Sequence, residues 1–168
     1  MSQPHSPAVM PRDVHGPPVT DAWRIVLRRY LLAMALGNLV WEFAHLPLYT
    51  IWSTGSTGEI VFAAVHCTGG DILIATASLV LALLLVGADW PLAARAYHRV
   101  AMLSVALGLG YTVFSEWLNV VVRKTWAYSE YMPIVPVVDA GLSPLLQWLA
   151  VPFAAWWWAA RGLNAASP

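Results

Sequence analysis

Residues 60–87 read IVFAAVHCTGGDILIATASLVLALLLVG, a stretch of 28 positions in which Asp71 is the single formally charged side chain. A helix that crosses the hydrocarbon core of a bilayer needs about 20 consecutive apolar residues. Three further apolar stretches approach or reach that length, at residues 27–48, 100–122 and 142–160. The chain is therefore predicted to be an all-α integral membrane protein, a bundle of four transmembrane helices whose first partner is the lipid bilayer.

The composition supports this class and excludes several others. Hydrophobic residues make up 59% of the chain and charged residues 11%, whereas an ordinary soluble domain is about one quarter charged. Nine basic and nine acidic residues cancel to a net charge of +0, which argues against a nucleic-acid partner. One cysteine excludes an internal disulfide framework and a multi-thiolate zinc site.

The basic residues predict the orientation of the bundle. The loops near 49–59 and 123–141 lie at one end of the predicted bundle and together contain two basic residues, Arg123 and Lys124. The other seven of the nine basic residues lie at the other end of the bundle. These seven are Arg12, Arg24, Arg28, Arg29, Arg95, Arg99 and Arg161. Cytoplasmic loops of membrane proteins are enriched in Lys and Arg, so both termini are expected in the cytoplasm (N-in/C-in), most simply at a bacterial inner membrane.

Three segments are expected along the chain. Residues 1–20 contain five prolines and no hydrophobic period, which is typical of a disordered cytoplasmic tail. Residues 21–163 form the four-helix transmembrane domain, and residues 164–168 form a second short cytoplasmic tail. At 28 residues the second span exceeds the thickness of the bilayer, so it either tilts or breaks at Gly69-Gly70.

Costly polar residues lie near the same end of each predicted span. In the first span, Asn38, Glu42 and His45 follow at helical spacing, and in the third span Glu116, Asn119 and Arg123 do the same. The other two spans contribute further members at a similar depth, namely His66, Asp71 and Gln147. An ionisable group inside a bilayer costs about 2.5–3.5 kcal/mol at the midplane, so we expect these residues to share one polar site in the outer, periplasm-facing half.

Two kinds of chemistry fit this set. The pair Glu42-x-x-His45 has the spacing of carboxylate–imidazole ligands in di-iron bundles, and with His66 and Glu116 it predicts a site for a divalent metal such as iron, manganese or zinc. Without a metal, the same carboxylates and imidazoles exchange protons near neutral pH. The predicted catalytic residues are therefore Glu42, His45, His66, Asp71 and Glu116.

Neighbouring residues are expected to form the walls of the site. The predicted pocket and supporting residues are Asn38, Trp41, Trp117, Asn119, Arg123, Gln147 and Trp148. The loop 123–141 is unusually apolar, which fits either a lid over the site or an anchor at the membrane interface. Trp156, Trp157 and Trp158 are expected to form an interfacial aromatic belt.

The sequence favours a membrane-embedded enzyme or metal-binding protein that acts on a lipid-soluble, apolar substrate. One alternative is a transporter for protons or a small solute, although the cytoplasmic halves of the spans carry almost no polar groups to mark a path. The other is a non-catalytic subunit or assembly factor of a larger membrane complex or a homo-oligomer, which leaves the buried carboxylates unexplained.

Overall fold

The computed structural model describes residues 19–87 and 89–165, and the described chain is mostly helical. The predicted tails 1–20 and 164–168 lie mostly outside these residues. Their described parts, 19–20 and 164–165, are helical. The elements in chain order are α1 (Val19–His45), a 3-10 turn (Leu46–Leu48), α2 (Ile51–Thr54), α3 (Thr57–Val86), α4 (Ala94–Glu116), a π-helix (Trp117–Val122), β1 (Ile134–Val135), β2 (Ala140–Gly141) and α5 (Leu142–Ala165).

Three of the described helical segments are long and apolar enough to cross a membrane, Val19–Leu48, Thr57–Val86 and Ala94–Val122. The helix α5 has 24 residues but is not among these candidate spans, so the predicted fourth crossing stays a prediction. Large apolar side chains face outward along the bundle, including Leu36, Leu73 and Leu84. Such a surface is unsuited to water and suits lipid, in which TM helices expose apolar side chains.

The four long helices pack as a ring in which α1 contacts α3 and α5, and α4 contacts the same two helices. The buried residues of α1 recur at intervals of four with a final step of three, from Ala22 to His45. That spacing keeps them on one face of a helix. The inner face of α1 is apolar over its first half and polar from Asn38 onward, so the sequence divides the bundle into a dry end and a polar end.

Aromatic rings fill the end of the bundle that holds both described chain ends. Trp156 is 4% exposed and its ring packs on Tyr30 at 4.4 Å and on Tyr97 at 5.4 Å between centroids. Its indole N–H donates to the Ser104 hydroxyl at 3.2 Å. Trp156 lies on the face of α5 that packs into the bundle, so the prediction of an interfacial belt is wrong for this residue. Trp157 and Trp158 are exposed.

The helix α3 runs without interruption through Gly69-Gly70. Of the two predicted alternatives, the break at these glycines is therefore wrong. A capping box between Ser56 and Glu59 starts the helix, and Gly87, with φ of 93°, ends it. Its 30 residues correspond to about 45 Å at 1.5 Å per residue. Continuous hydrogen bonding leaves no free backbone groups in the middle of the span.

Small residues allow α5 to lie close to its neighbours. A Cβ on Gly37 of α1 would lie 2.7 Å from Val151, and a Cβ on Gly108 of α4 would overlap the ring of Trp148. Small residues at helix contacts are typical of membrane bundles, where packing replaces the hydrophobic effect. The position of Trp148 therefore depends on the absence of a side chain at residue 108.

Gly108→Ala is expected to destabilise the bundle by about 1–3 kcal/mol, because the new methyl group forces the ring of Trp148 out of its site. Gly110→Ala is the matched control, since a Cβ on Gly110 meets nothing within 4 Å and alanine favours the helix. Thermal unfolding in one detergent compares the two variants. Equal midpoints for both variants would contradict the described packing of α5 on α4.

Candidate functional site

A cavity of about 590 Å³ lies at the polar end of the bundle. All four long helices contribute to its wall, through residues such as Glu42 of α1, Asp71 of α3, Glu116 of α4 and Gln147 of α5. The segments that follow α1 and the π-helix supply further wall residues, namely Tyr49, Thr50, Ile51 and Thr54, and Thr125, Trp126 and Ala127. Its volume falls in the range of sites that bind small molecules, about 300–1,000 Å³.

One side-chain amide joins three of the helices beside this cavity. The Gln147 Nε2 group lies 3.0 Å from Asn38 Oδ1, 2.9 Å from Glu42 Oε1 and 3.0 Å from Asp71 Oδ2. An amide nitrogen carries two hydrogens, so the three oxygens share two donors. We call Asn38, Glu42, Asp71 and Gln147 the polar cluster, and each of its members is buried.

The polar cluster continues into a second chain of hydrogen bonds through His45. His45 Nε2 lies 3.1 Å from Glu42 Oε2, and Nδ1 lies 3.1 Å from the Ser143 hydroxyl. Ser143 also accepts a hydrogen bond from the Trp41 indole at 3.2 Å. Both nitrogens of His45 and both oxygens of Glu42 therefore have partners, which hold the imidazole in one orientation.

A separate carboxyl group lies on the wall formed by α4. The phenol of Tyr128 donates a hydrogen bond to Glu116 Oε2 and accepts one from the Gly141 backbone N–H at 2.9 Å. Burial, and then the hydrogen bond with Glu116, raise the pKa of Tyr128 above its ordinary value, so the phenol stays protonated and continues to donate. The loop thus provides a fixed donor to a carboxylate of the bundle.

The two segments beyond the helix ends close over the cavity together. The Thr50 N–H donates to the Ala127 carbonyl at 3.0 Å, and the Ser129 N–H donates to the Leu48 carbonyl at 2.9 Å. Tyr49 and Tyr128 form a β-bridge between these hydrogen bonds, with ring centroids 5.6 Å apart. The loop therefore folds over the helix ends, as the lid interpretation requires.

The tip of the same loop extends away from the cavity. Val137 is 92% exposed and Tyr131 is 71% exposed, whereas Met132 is buried and packs against Gly141. Exposed apolar and aromatic groups at a bundle end suit the headgroup region of a bilayer. The backbone hydrogen bonds near Tyr49 and Tyr128 fit the lid interpretation, and the exposed tip fits the anchor interpretation, which stays a prediction.

Tyr49 lines the cavity close enough to Glu42 and Glu116 to be influenced by their charge. Its pKa is raised well above the ordinary value by burial and then by the negative charge of Glu116, with smaller contributions from Tyr128, Glu42 and Cys67. Its ring also packs on His45, with centroids 5.2 Å apart. A phenol in this position remains neutral and keeps its hydroxyl hydrogen as a donor.

The structure brings most of the predicted site residues together. Those that line the cavity are Glu42, His45, His66, Asp71, Glu116, Gln147 and Trp148. His66 is exposed and stacks on Phe62 at 5.4 Å, so it lies at the rim of the cavity and not in the buried cluster. Asn38 and Trp41 support the cavity residues through the hydrogen bonds to Gln147 and Ser143.

Three predicted members do not join the site. Trp117 is 47% exposed, and the Asn119 amide donates to Ser115 within its own helix. Among the described residues, the ion pairs are Asp21–Arg24 and Glu42–His45, so Arg123 forms none with Glu116. For Asn119 and Arg123 the physical reason is the π-helix from Trp117 to Val122, whose wider turn moves them off the face that α-helical spacing predicts. Trp117 directly follows Glu116 and therefore lies about 100° around the helix from it.

The geometry gives no support to the predicted metal site. Within residues 19–87 and 89–165, no three His, Cys, Asp or Glu side chains are grouped so that they could hold a metal ion. Glu42 and His45 direct their polar atoms at each other and at neutral donors. The remaining two predicted ligands lie on different walls, with Glu116 bound to Tyr128 and His66 at the rim.

Sequence reasoning left Tyr49, Tyr128 and Ser143 out of the predicted site. Tyr49 follows the helical spacing of Glu42 and His45, although α1 ends at His45 and a 3-10 turn carries the chain to it. Ser143 lies one turn before Gln147 on α5. No local signal identifies Tyr128, because its contact with Glu116 depends on how the loop folds back.

Gln147→Leu is expected to lower the free energy of unfolding by about 2–5 kcal/mol, because three buried oxygens lose their shared donor. Asn119→Leu is the matched control, since that amide is half-buried and its contacts are with Ser115 and Thr125. Denaturant unfolding in one micelle composition measures both. Equal losses for the two variants would show that the amide of Gln147 is not a central contact.

Comparisons with protein-family models, with curated proteins and with solved structures found no match to this chain. A fold alone does not imply a function. The function is therefore inferred from the cavity and the side chains in its wall.

Proposed function

We propose that this protein is a membrane-embedded acid–base enzyme that transfers protons to and from a lipid-soluble substrate. The observation that carries the proposal is the cavity of about 590 Å³ whose wall holds Glu42, His45, Asp71 and Glu116. Ionisable groups inside a bundle of apolar helices are costly and mark functional sites. A cavity beside them provides the place for a substrate.

The carboxyl groups on the two walls have different surroundings, which suits opposite roles in proton transfer. Asp71 shares the Gln147 amide with Glu42, whereas Glu116 accepts from the Tyr128 phenol. Two carboxyl groups in unlike surroundings are how enzymes obtain one acid and one base from the same residue type. Asp71 and Glu116 are therefore the groups that we expect to contact the substrate from opposite sides.

Glu42 and His45 are positioned to supply and remove protons behind this pair. The Glu42 carboxylate contacts the same amide as Asp71 and the imidazole of His45. Imidazole is the side chain whose ordinary pKa lies nearest to neutral pH. Ser143 and Trp41 hold the far side of this chain of hydrogen bonds in place.

The two segments that pair over the cavity favour the function of an enzyme over that of a transporter. Hydrogen bonds join Thr50 to Ala127 and Leu48 to Ser129 across the cavity end, which limits the entry of water during proton transfer. At the other side, the apolar core that includes Met34, Tyr30 and Trp156 follows the polar cluster. A transport path needs polar groups or water through that layer.

The orientation of the bundle in its membrane is part of the proposal. Exposed arginines lie at the end of the bundle opposite to the cavity, and examples are Arg24, Arg95 and Arg161. With α5 as a fourth crossing, the positive-inside rule places this end in the cytoplasm and the cavity at the outer side. A bacterial inner membrane is the membrane that we propose.

The enzymatic proposal is tested by following deuterium from the solvent into the substrate. A substrate that gains a proton at a carbon atom in D₂O gains deuterium there. Membranes that contain the protein, incubated in D₂O with a total lipid extract, are expected to incorporate deuterium at carbon in one lipid-soluble component of the extract. Asp71→Asn and Glu116→Gln are each expected to reduce the rate by about 100-fold or more, the contribution typical of general acid–base groups. Mass spectrometry of the extracted lipids measures the incorporation.

Glu130→Gln is the control for this experiment, because Glu130 is an exposed carboxylate in the loop and does not line the cavity. It is expected to keep the wild-type rate. Incorporation in wild-type membranes that equals that in membranes without the protein would refute the enzymatic proposal.

Cysteine labelling tests the orientation. In a Cys67→Ala background, cysteine at Ser53 or Glu130, both exposed beyond the cavity end, is expected to react with an impermeant thiol reagent from outside. Cysteine at Ala93, exposed just before α4, is expected to react only after the membrane is permeabilised. The reverse pattern would overturn the proposed orientation.

A further inference from the structure

The wall of the cavity carries many more acidic than basic groups. Three buried carboxyl groups line it, Glu42, Asp71 and Glu116, and the exposed Glu59, whose carboxylate is bonded to Ser56, lies at its edge. Two histidines line it as well, and among the described residues no lysine or arginine does. Buried charges in proteins are normally paired. The wall therefore has carboxyl groups without an equal number of protein cations.

The hydrogen bonds of these carboxyl groups also come mostly from neutral donors and not from cations. His45 contacts Glu42, whereas Asp71 and Glu116 receive neutral donors, the amide of Gln147 and the phenol of Tyr128. Each of these neutral donors contacts a single oxygen of its carboxyl group. An ionised carboxylate has about four acceptor positions, so Asp71 and Glu116 keep acceptor capacity for a ligand in the cavity.

The rest of the wall suits an apolar body next to a cation. Aromatic rings from several elements line the cavity, namely Tyr49, Phe62, Trp126 and Trp148. The faces of such rings attract cations as well as apolar groups. An anionic head would be repelled by the carboxylates, and a neutral head would gain hydrogen bonds without the attraction of opposite charges.

We infer that the substrate or ligand of this cavity is a cationic amphiphile, with an amine or ammonium head beside Asp71 and Glu116 and an apolar body along the aromatic wall. This inference rests on the proposed function and names the class of molecule that the same site takes. It adds a requirement that proton transfer alone does not impose, because a neutral lipid would also serve an acid–base site.

Cys67 provides a reporter inside the cavity. It is the single cysteine of the chain and lines the cavity on α3. The protein in bilayer discs of zwitterionic lipid is treated with a small membrane-permeant thiol reagent in the presence of one of three probes. The probes are dodecylammonium, dodecanol and dodecanoate, which share an alkyl chain and differ in the charge of the head.

The ammonium probe is expected to slow the modification of Cys67 at a concentration in the lipid about tenfold lower than dodecanol requires, and dodecanoate is expected to protect least. A tenfold preference corresponds to about 1.4 kcal/mol. Glu116→Gln is expected to reduce the preference for the ammonium over the alcohol, whereas Glu130→Gln keeps it. If Cys67 reacts too slowly, the shift of the thermal midpoint by the same probes gives the comparison.

Each other outcome overturns the inference in a way that separates it from the proposed function. Protection by dodecanol equal to that by the ammonium would overturn the cationic head and leave an apolar binding site intact. Stronger protection by dodecanoate would reverse the assigned charge. Protection by none of the probes would refute binding of such amphiphiles, and deuterium incorporation would then decide independently whether the site is catalytic.

Discussion

The contact on which the rest of this structure depends is the bond of the Gln147 amide to three oxygens from two other helices. Asn38, Glu42 and Asp71 are polar groups on otherwise apolar helices. In an apolar surrounding each of them would be costly without a partner. The amide shares its two donors among the three oxygens and so fixes how α5 lies against α1 and α3.

The two ends of the bundle follow from this contact and from the packing around it. Below the polar cluster the inner faces are apolar and aromatic, and Tyr30, Trp90 and Trp156 fill the space between the helices. Above it the polar residues meet around a cavity, over which the segments near Tyr49 and Tyr128 pair. The site is therefore supported on one side by a dense core and on the other by a loop.

Much of the candidate site could be predicted from residue type and spacing. An ionisable residue in an apolar span is informative by itself, and Glu42, Asp71 and Glu116 all line the cavity. Regular spacing was reliable on α1 as far as His45, where the helix ends. It failed after Glu116, because the change to a π-helix moves Asn119 and Arg123 to other faces, and nothing in their residue types indicates that change.

The sequence by itself determined that the chain is mostly helical and has segments long and apolar enough to span a bilayer, since long apolar stretches satisfy their backbone hydrogen bonds as helices where water is absent. It also determined which end of each helix is polar, because that depends on position along one chain. The tertiary structure alone decided which polar groups bond to one another, that α3 is continuous, and that Tyr128 reaches Glu116 from the loop. These features depend on contacts between residues far apart in the chain, and no local pattern encodes such a contact.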